Sequence, residues 1–372
     1  MGSGSIRLGK IFGIPIGVDY SWFLVLVLFT WTFASSYYPS EFKNWSTTEY
    51  WVVGAITALV LFGSVLLHEL GHSLVALRYK LPVRNITLFI FGGVSQISEE
   101  PVSAVSEFWI TIAGPIVSFI LAGIFALFTL FTSGFAPLWA VLKYLAYINL
   151  ILGAFNLIPG FPLDGGGVLM SIVWGISRNR HKALLIASGV GSVIAYLFIF
   201  YGVFELFNGN LVNGLWIAFI GWFLVSASRG QLMQERVKGV LTGHKVAEVM
   251  SQGYTIVQAD TTVQSLMDDH ILASSRRSYI VERGEEVVGL LTLHNLRDVP
   301  RDHWGSTAVT QVMIPCEKWK ELTPETELWD AMAEMDRDGV NQLPVMAGTR
   351  IDGMLTREDI ISYLRELQGS QR

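Results

Sequence analysis

The sequence predicts two fold classes in one chain. An all-α membrane domain of about six transmembrane helices precedes a soluble α/β tandem repeat. Three observations carry this prediction. Long runs free of fixed charge fill the chain up to Ser228 and then stop. The basic residues between those runs gather at alternate connections. A pattern beginning at Val246 returns at Val309.

Of 372 residues, 51% are apolar and 15% charged, and the mean hydropathy is +0.46. Soluble domains carry about 25% charged residues, and here the deficit is local. No Asp, Glu, Lys or Arg lies between Asp19 and Glu41, or within Tyr50–Leu67, Phe108–Leu142, Tyr144–Leu163, Ala183–Phe204 and Leu206–Ser228. Each run is about 18 residues or longer, enough to cross a bilayer core of roughly 30 Å as a helix. Spans are therefore expected near 18–37, 52–78, 106–131, 137–158, 184–206 and 211–228. The expected organisation is a membrane domain over 1–230, a linker over 231–245, and repeats over 246–305 and 306–372. The first ten residues, MGSGSIRLGK, are too short and too polar for a signal peptide. A net charge of −5 gives no reason to expect nucleic acid. The one cysteine, Cys316, excludes an intramolecular disulfide and a CxxC metal site.

Basic residues set the expected orientation. Arg7 and Lys10 precede span one, Arg78, Lys80 and Arg84 follow span two, Arg178, Arg180 and Lys182 follow span four, and Arg229, Arg236 and Lys238 follow span six. The opposite side has Lys43, and Lys143 within the start of span four. Both termini and the soluble repeat are thus expected in the cytoplasm.

Span two contains VLLHELGHSLVAL over 65–77, apolar except at its centre. On a helix, His68 and His72 share one face, with Glu69 about 100° away. This HExxH spacing suits two imidazoles on one zinc and a carboxylate beside the metal's water. Ionisable groups within a span are costly and seldom kept without function; packing or a proton path is the plainer alternative.

A catalytic zinc needs a third protein ligand and an open position. NLIPGFPLDGG, residues 156–166, supplies a candidate in Asp164, the sole carboxylate after 20 uncharged residues. Pro159 and Pro162 interrupt a helix there, and Gly165–Gly167 are expected to let the backbone turn. The plainer alternative is an Asp capping the next helix. Spans two and four run in the same direction, so HELGH and Asp164 are expected at similar depth near the cytoplasmic face.

With HELGH at 68–72, FGGVSQI at 91–97, AGP at 113–115 and NLIPGFPLDGG at 156–166, the chain resembles the site-two protease family of intramembrane zinc metalloproteases over about residues 5–230. The resemblance implies one Zn2+ per chain on His68, His72 and Asp164, Glu69 as catalytic base, and Asn156 in substrate contact or transition-state support. Read from its residues, FGGVSQI is an irregular or strand-like segment, allowed within a membrane only where protein or water satisfies its backbone; a cytoplasmic hairpin is the alternative. The resemblance implies a re-entrant β-type loop beside the active site, with Gly92 and Gly93 in the substrate-binding region. An exposed strand edge there can pair with an extended substrate.

In the soluble half, VAEVM at 246–250 matches VTQVM at 309–313, and GLLTLHN at 289–295 matches GMLTRED at 353–359. Each copy reads as strand, helix (around 262–272 and 325–338), strands and a final helix. The pair is similar to tandem cystathionine-β-synthase-type (CBS) domains. That resemblance implies an adenine nucleotide in the cleft, its ribose touched by Thr356 and Asp359. The first copy has Asn295 where the acid would stand. A structural or dimerising pair is the alternative, with a homodimer as the partner.

Together these readings predict a multi-pass zinc endopeptidase that hydrolyses a peptide bond in or near the transmembrane helix of a membrane-spanning protein substrate, modulated by a cytoplasmic CBS pair. The rival is a membrane cation transporter or channel with a CBS regulatory module. Transport favours polar groups at successive depths, whereas here they gather at one level with a glutamate beside the histidines. A third reading, an idle membrane sensor, sits poorly with an intact HExxH and Asp164.

Overall fold

The computed structural model describes residues 5–271, 278–284, 286–296, 299–316, 321–348 and 350–370. The chain forms two compact units, Met1–Met233 and Gln234–Arg372.

The first unit opens with a hairpin of β1 (Ser5–Ile11) and β2 (Ile14–Asp19). Asp19 then caps α1 (Tyr20–Thr32), its carboxylate accepting from Ser21 N at 2.9 Å. A π turn over Phe33–Tyr37 and the short α2 (Tyr38–Glu41) prolong this first span. α3 (Thr47–Arg78) starts at a capping box, with Ser46 and Glu49 bonding each other's backbone N–H. This satisfies two of the donors that a helix start leaves open. β3 (Val83–Phe89) and β4 (Gly92–Ile97) follow, then α4 (Ala104–Thr129), α5 (Ala136–Asn156), α6 (Asp164–Ser177), α7 (Arg180–Phe207) and α8 (Leu211–Leu241).

Among the described residues, six helical stretches are long and apolar enough to cross a membrane: Tyr20–Glu41, Thr47–Arg78, Ala104–Thr129, Ala136–Asn156, Arg180–Phe207 and Leu211–Leu241. They coincide with the expected spans, except that the sixth continues helically well past residue 228. α6 is an additional, shorter helix. The β-type segment is larger than expected. The β3–β4 hairpin belongs to a four-stranded sheet ordered β1-β2-β3-β4, in which β2 runs parallel to β3 through Ile16↔Ile86. Ile14, Ile16 and Ile86 pack with Leu70, fastening the sheet to the α3 segment that carries HELGH. β4 lies at the sheet's edge.

In the second unit each repeat has the expected order. The first contains β5 (Ile256–Gln258), α9 (Val263–Leu266), β6 (Ser278–Arg283), β7 (Glu286–Thr292) and α10 (Leu293–Leu296), and β8 (Ile314–Pro315), from the start of the second, joins its sheet beside β7. Its sheet is ordered β5-β6-β7-β8, with β5 parallel to β6 and the others antiparallel. Residue 272, the end of the first expected helix, lies outside the described residues. The second repeat contains α11 (Leu328–Asp338), antiparallel β9 (Gln342–Ala347) and β10 (Arg350–Thr356), and α12 (Arg357–Ser370). Leu322 pairs in parallel with Val345, matching the place of β5 beside β6. Leu328, Ala331 and Met335 line one stripe of α11 and bury against β9 and β10. Ile280 and Leu290 of one repeat pack on Met346, Ile351 and Met354 of the other.

Candidate metal centre

α3 presents His68 and His72 on one face, both buried. Asp164 reaches them as the first residue of α6, half-buried, after the loop of residues 157–163. His68 Nε2 lies 3.1 Å from Asp164 Oδ2, His72 Nε2 lies 3.4 Å from the same oxygen, and the two Nε2 atoms are 3.3 Å apart.

The outer ring nitrogens are held too. His72 Nδ1 is 2.7 Å from the Ile110 carbonyl, which can only accept, so Nδ1 carries the proton and Nε2 presents a lone pair. His68 Nδ1 is 2.8 Å from Ser118 Oγ. Both partners belong to α4. Such contacts fix the tautomer and orientation of metal-binding imidazoles. The lone pair on His72 Nε2 and the Asp164 carboxylate oxygen 3.4 Å away repel unless a cation lies between them. A tetrahedral zinc with bonds of about 2.0–2.1 Å places neighbouring ligand atoms about 3.3–3.4 Å apart. The three donors match that spacing, and among the described residues they are the one His/Cys/Asp/Glu group gathered for a metal.

Two close approaches explain motif glycines. A Cβ on Gly114, in the AGP motif of α4, would stand 2.1 Å from His72 Nε2 and 2.6 Å from His68 Nε2. A Cβ on Gly93, in β4, would stand 2.5 Å from Glu69 Cγ. The DGGG run differs from its expected role. The turn is made by residues 157–163, and Gly165–Gly167 lie inside α6. Gly165 and Gly166 are bare because the loop folds back on the helix, a Cβ on Gly165 meeting the Ile158 carbonyl at 2.3 Å, and Gly167 because Thr111 of α4 packs there, its Cγ2 2.4 Å from an added Cβ.

Glu69 is half-buried, with Oε2 accepting from Ser95 Oγ of β4 at 2.8 Å. Asn156 is the last residue of α5, half-buried at the head of the loop to Asp164. Gly92 opens β4 with φ of +131°, a conformation suited to glycine. Thr356 and Asp359 lie in the second unit and bond each other: Asp359 Oδ2 accepts from Thr356 N at 2.9 Å and from its hydroxyl at 2.7 Å. In the first repeat, Asn295 Oδ1 accepts from Thr292 N and Oγ1 at 3.0 and 2.7 Å. The motif therefore serves as a helix-start cap in both copies.

Sequence reasoning missed Ile110, Ser118 and Ser95 as supports. A carbonyl leaves no side-chain signal, and the serines matter only through how α4 and β4 pack against α3.

The sequence pattern of peptidase family M50 matches residues 56–138 and 135–200, and that of the CBS domain matches residues 311–366. The Synechocystis sp. protein sll0528, named as a zinc metalloprotease, is 33% identical over 98% of this chain and 96% of its own length. Zinc metalloprotease MJ0392 of Methanocaldococcus jannaschii is 27% identical over 98% of this chain and 97% of its own. Among solved structures, the site-2 protease from M. jannaschii is 31% identical, covering 61% of this chain and 94% of its own at a TM-score of 0.43.

Proposed function

This chain belongs to peptidase family M50, the site-2 protease family of zinc metalloproteases, and from that premise we propose that it cleaves a membrane-spanning protein substrate in or near its transmembrane helix. It is a multi-pass membrane enzyme with a C-terminal CBS domain. The observation that carries the proposal is the set of three donor atoms at 3.1, 3.3 and 3.4 Å from one another, two of them on a helix apolar enough to span a membrane and the third at the start of α6, with Glu69 alongside.

In this reading His68, His72 and Asp164 hold zinc through Nε2, Nε2 and Oδ2. Zinc, when bound, supplies a Lewis acid that polarises the scissile carbonyl and acidifies water. Glu69 takes the proton of the attacking water on a carboxylate oxygen and hands it to the leaving amine nitrogen. Ile110 O and Ser118 Oγ keep the imidazoles turned inward. Asn156 contacts substrate or supports the transition state. Gly92 leaves room for substrate along β4, Gly93 leaves room for Glu69 beside it, and the strand's edge offers backbone groups to an extended peptide.

We further assign both termini and the repeat pair to the cytoplasm, from the basic residues beside the spans. The organisation is a protease domain over 1–230, a linker over 231–245 and CBS repeats over 246–305 and 306–372. The repeat pair would bind an adenine nucleotide through Thr356 and Asp359, modulate cleavage, and offer a surface for a homodimer.

The test uses purified protein and a single-span substrate. Glu69→Gln should retain the wild-type zinc content and lose nearly all cleavage. Comparable cleavage by the variant would remove Glu69 from the mechanism.

A further inference from the structure

Glu69 leaves α3 toward β4, and its side chain lies along that strand's backbone. A Cβ on Gly93 would come within 2.5 Å of Glu69 Cγ, 3.1 Å of Cδ and 3.2 Å of Oε1. Two residues on, and so on the same face of the strand, Ser95 Oγ lies 2.8 Å from Glu69 Oε2 and 3.1 Å from the Glu69 carbonyl. Ser73, one turn along α3 from Glu69 and fully buried, donates to Ser95 Oγ at 3.2 Å.

A hydroxyl has one proton and two acceptor sites. Because Ser73 fills an acceptor site of Ser95, the Ser95 proton is free for Glu69, and the shorter contact is to the carboxylate. The chain Ser73→Ser95→Glu69 therefore points at one carboxylate oxygen. No described residue donates to the other, Oε1.

We propose that Ser95 is the positioning residue of the base: it pins Oε2 of Glu69 to β4, which leaves Oε1 to take the proton and makes the seating of β4 set the position of the base. The inference rests on the reading of Glu69 as base. It gives the strand two jobs. Its outer edge is free to pair with an extended peptide, while the face of Gly93 and Ser95 cradles the carboxylate. Peptide and base then share one frame. An unpinned glutamate would spread over several rotamers, and a misplacement of about 1 Å can cost on the order of 100-fold in rate.

The experiment uses the full chain with zinc and a single-span substrate, measuring kcat and KM separately for Ser95→Ala, Ser95→Thr, Ser73→Ala and Glu69→Gln. Zinc content is measured for each. Hydrogen exchange over residues 92–97 is followed on metal-stripped protein. Ser95→Ala should lower kcat by about tenfold or more while KM stays within about twofold, the signature of a group needed in the transition state. Its zinc content should match wild type, and exchange in β4 should quicken. Ser95→Thr keeps the hydroxyl on a residue that strands favour and should recover most of kcat. Ser73→Ala should fall between.

An unchanged kcat in Ser95→Ala beside an inactive Glu69→Gln would overturn the inference and leave the base reading standing. A raised KM with unchanged kcat would overturn it too, assigning Ser95 to substrate binding alone. If Ser95→Ala does not fold, Ser73→Ala decides, and wild-type kcat there would overturn the inference. Cleavage by Glu69→Gln would instead remove the base reading on which it rests.

Discussion

Gly114 of α4 faces His72 of α3 so closely that an added Cβ would stand 2.1 Å from Nε2. The wall of the candidate metal site opposite the histidines is therefore backbone, and α4 can approach α3 there only where a side chain is missing. Alanine normally stabilises a helix interior over glycine by about 0.8–1.0 kcal/mol. Gly114→Ala should reverse that sign here. The variant is expected to hold less than about a tenth of the wild-type zinc, consistent with the 10–100-fold losses that follow disturbed metal surroundings. Zinc analysis and thermal unfolding of metal-stripped protein check this. Full zinc with raised stability would mean that α4 moves aside without cost.

Asp164 makes a separate test, because it comes from another helix. Asp164→Asn keeps the shape and one oxygen but removes the charge that faces the two imidazoles. Zinc affinity should fall by more than about 100-fold, beyond the usual loss for an outer partner, and cleavage should stop. Competition with a chromogenic chelator measures the affinity. Unchanged affinity would place the third ligand elsewhere.

HELGH and Asp164 were legible as candidates because each is a sparse polar set inside an apolar run, and the fold brings their donor atoms together. The six spans were legible because charge is excluded from them over about 18 residues or more. The N-terminal hairpin was not. Ile14–Asp19 is short, runs straight into the first span, and finds its parallel partner about 70 residues away at Ile86. The role of AGP was also hidden. A glycine in a helix announces close approach, but not to what; only the crossing of α4 over His68 and His72 supplies the answer.

The second unit has a titration that can be read directly. Glu248 is exposed, and its carboxyl is held down at about 2 by its hydrogen bond with His244, then by the Lys245 backbone N–H and the Tyr363 hydroxyl. An unfolded glutamate titrates near 4.3. A depressed carboxyl stabilises the fold above that unfolded value and loses the contribution as pH falls toward the folded one. The effect should thus be intact at neutral pH and fade between about pH 4.3 and 2. Carbon-detected NMR titration of Glu248 should give a midpoint well below 4.3, and His244→Ala should raise it. An unshifted midpoint in the wild type would mean that the pair with His244 does not form in solution.

The last prediction concerns the repeat pair. Thr356 and Asp359 already bond each other, and that contact uses only Oδ2 of the carboxylate. Asn295 makes the same contact in the first repeat with Oδ1, and its other side-chain atom is an amide donor. The two copies therefore share a helix cap and differ in what remains: a charged acceptor in one, a donor in the other. Ribose hydroxyls are donors that gain from the charged acceptor, so a nucleotide should prefer the second copy. Asp359→Asn should keep the cap, as Asn295 does, and weaken nucleotide binding by about 1.5–3 kcal/mol, the worth of a hydrogen bond to a charged group. Asp359→Ala should lose both. Calorimetry with ATP, ADP and AMP on the wild type and both variants separates these outcomes, and equal affinity in Asp359→Asn would remove the carboxylate from the site. Control of cleavage is a further step, since a ligand shifts activity only if it binds two states of the enzyme unequally. Cleavage rates measured against nucleotide should change in the full chain and stay constant once residues 240–372 are removed. No binding at millimolar nucleotide would make the pair a structural or dimerising module.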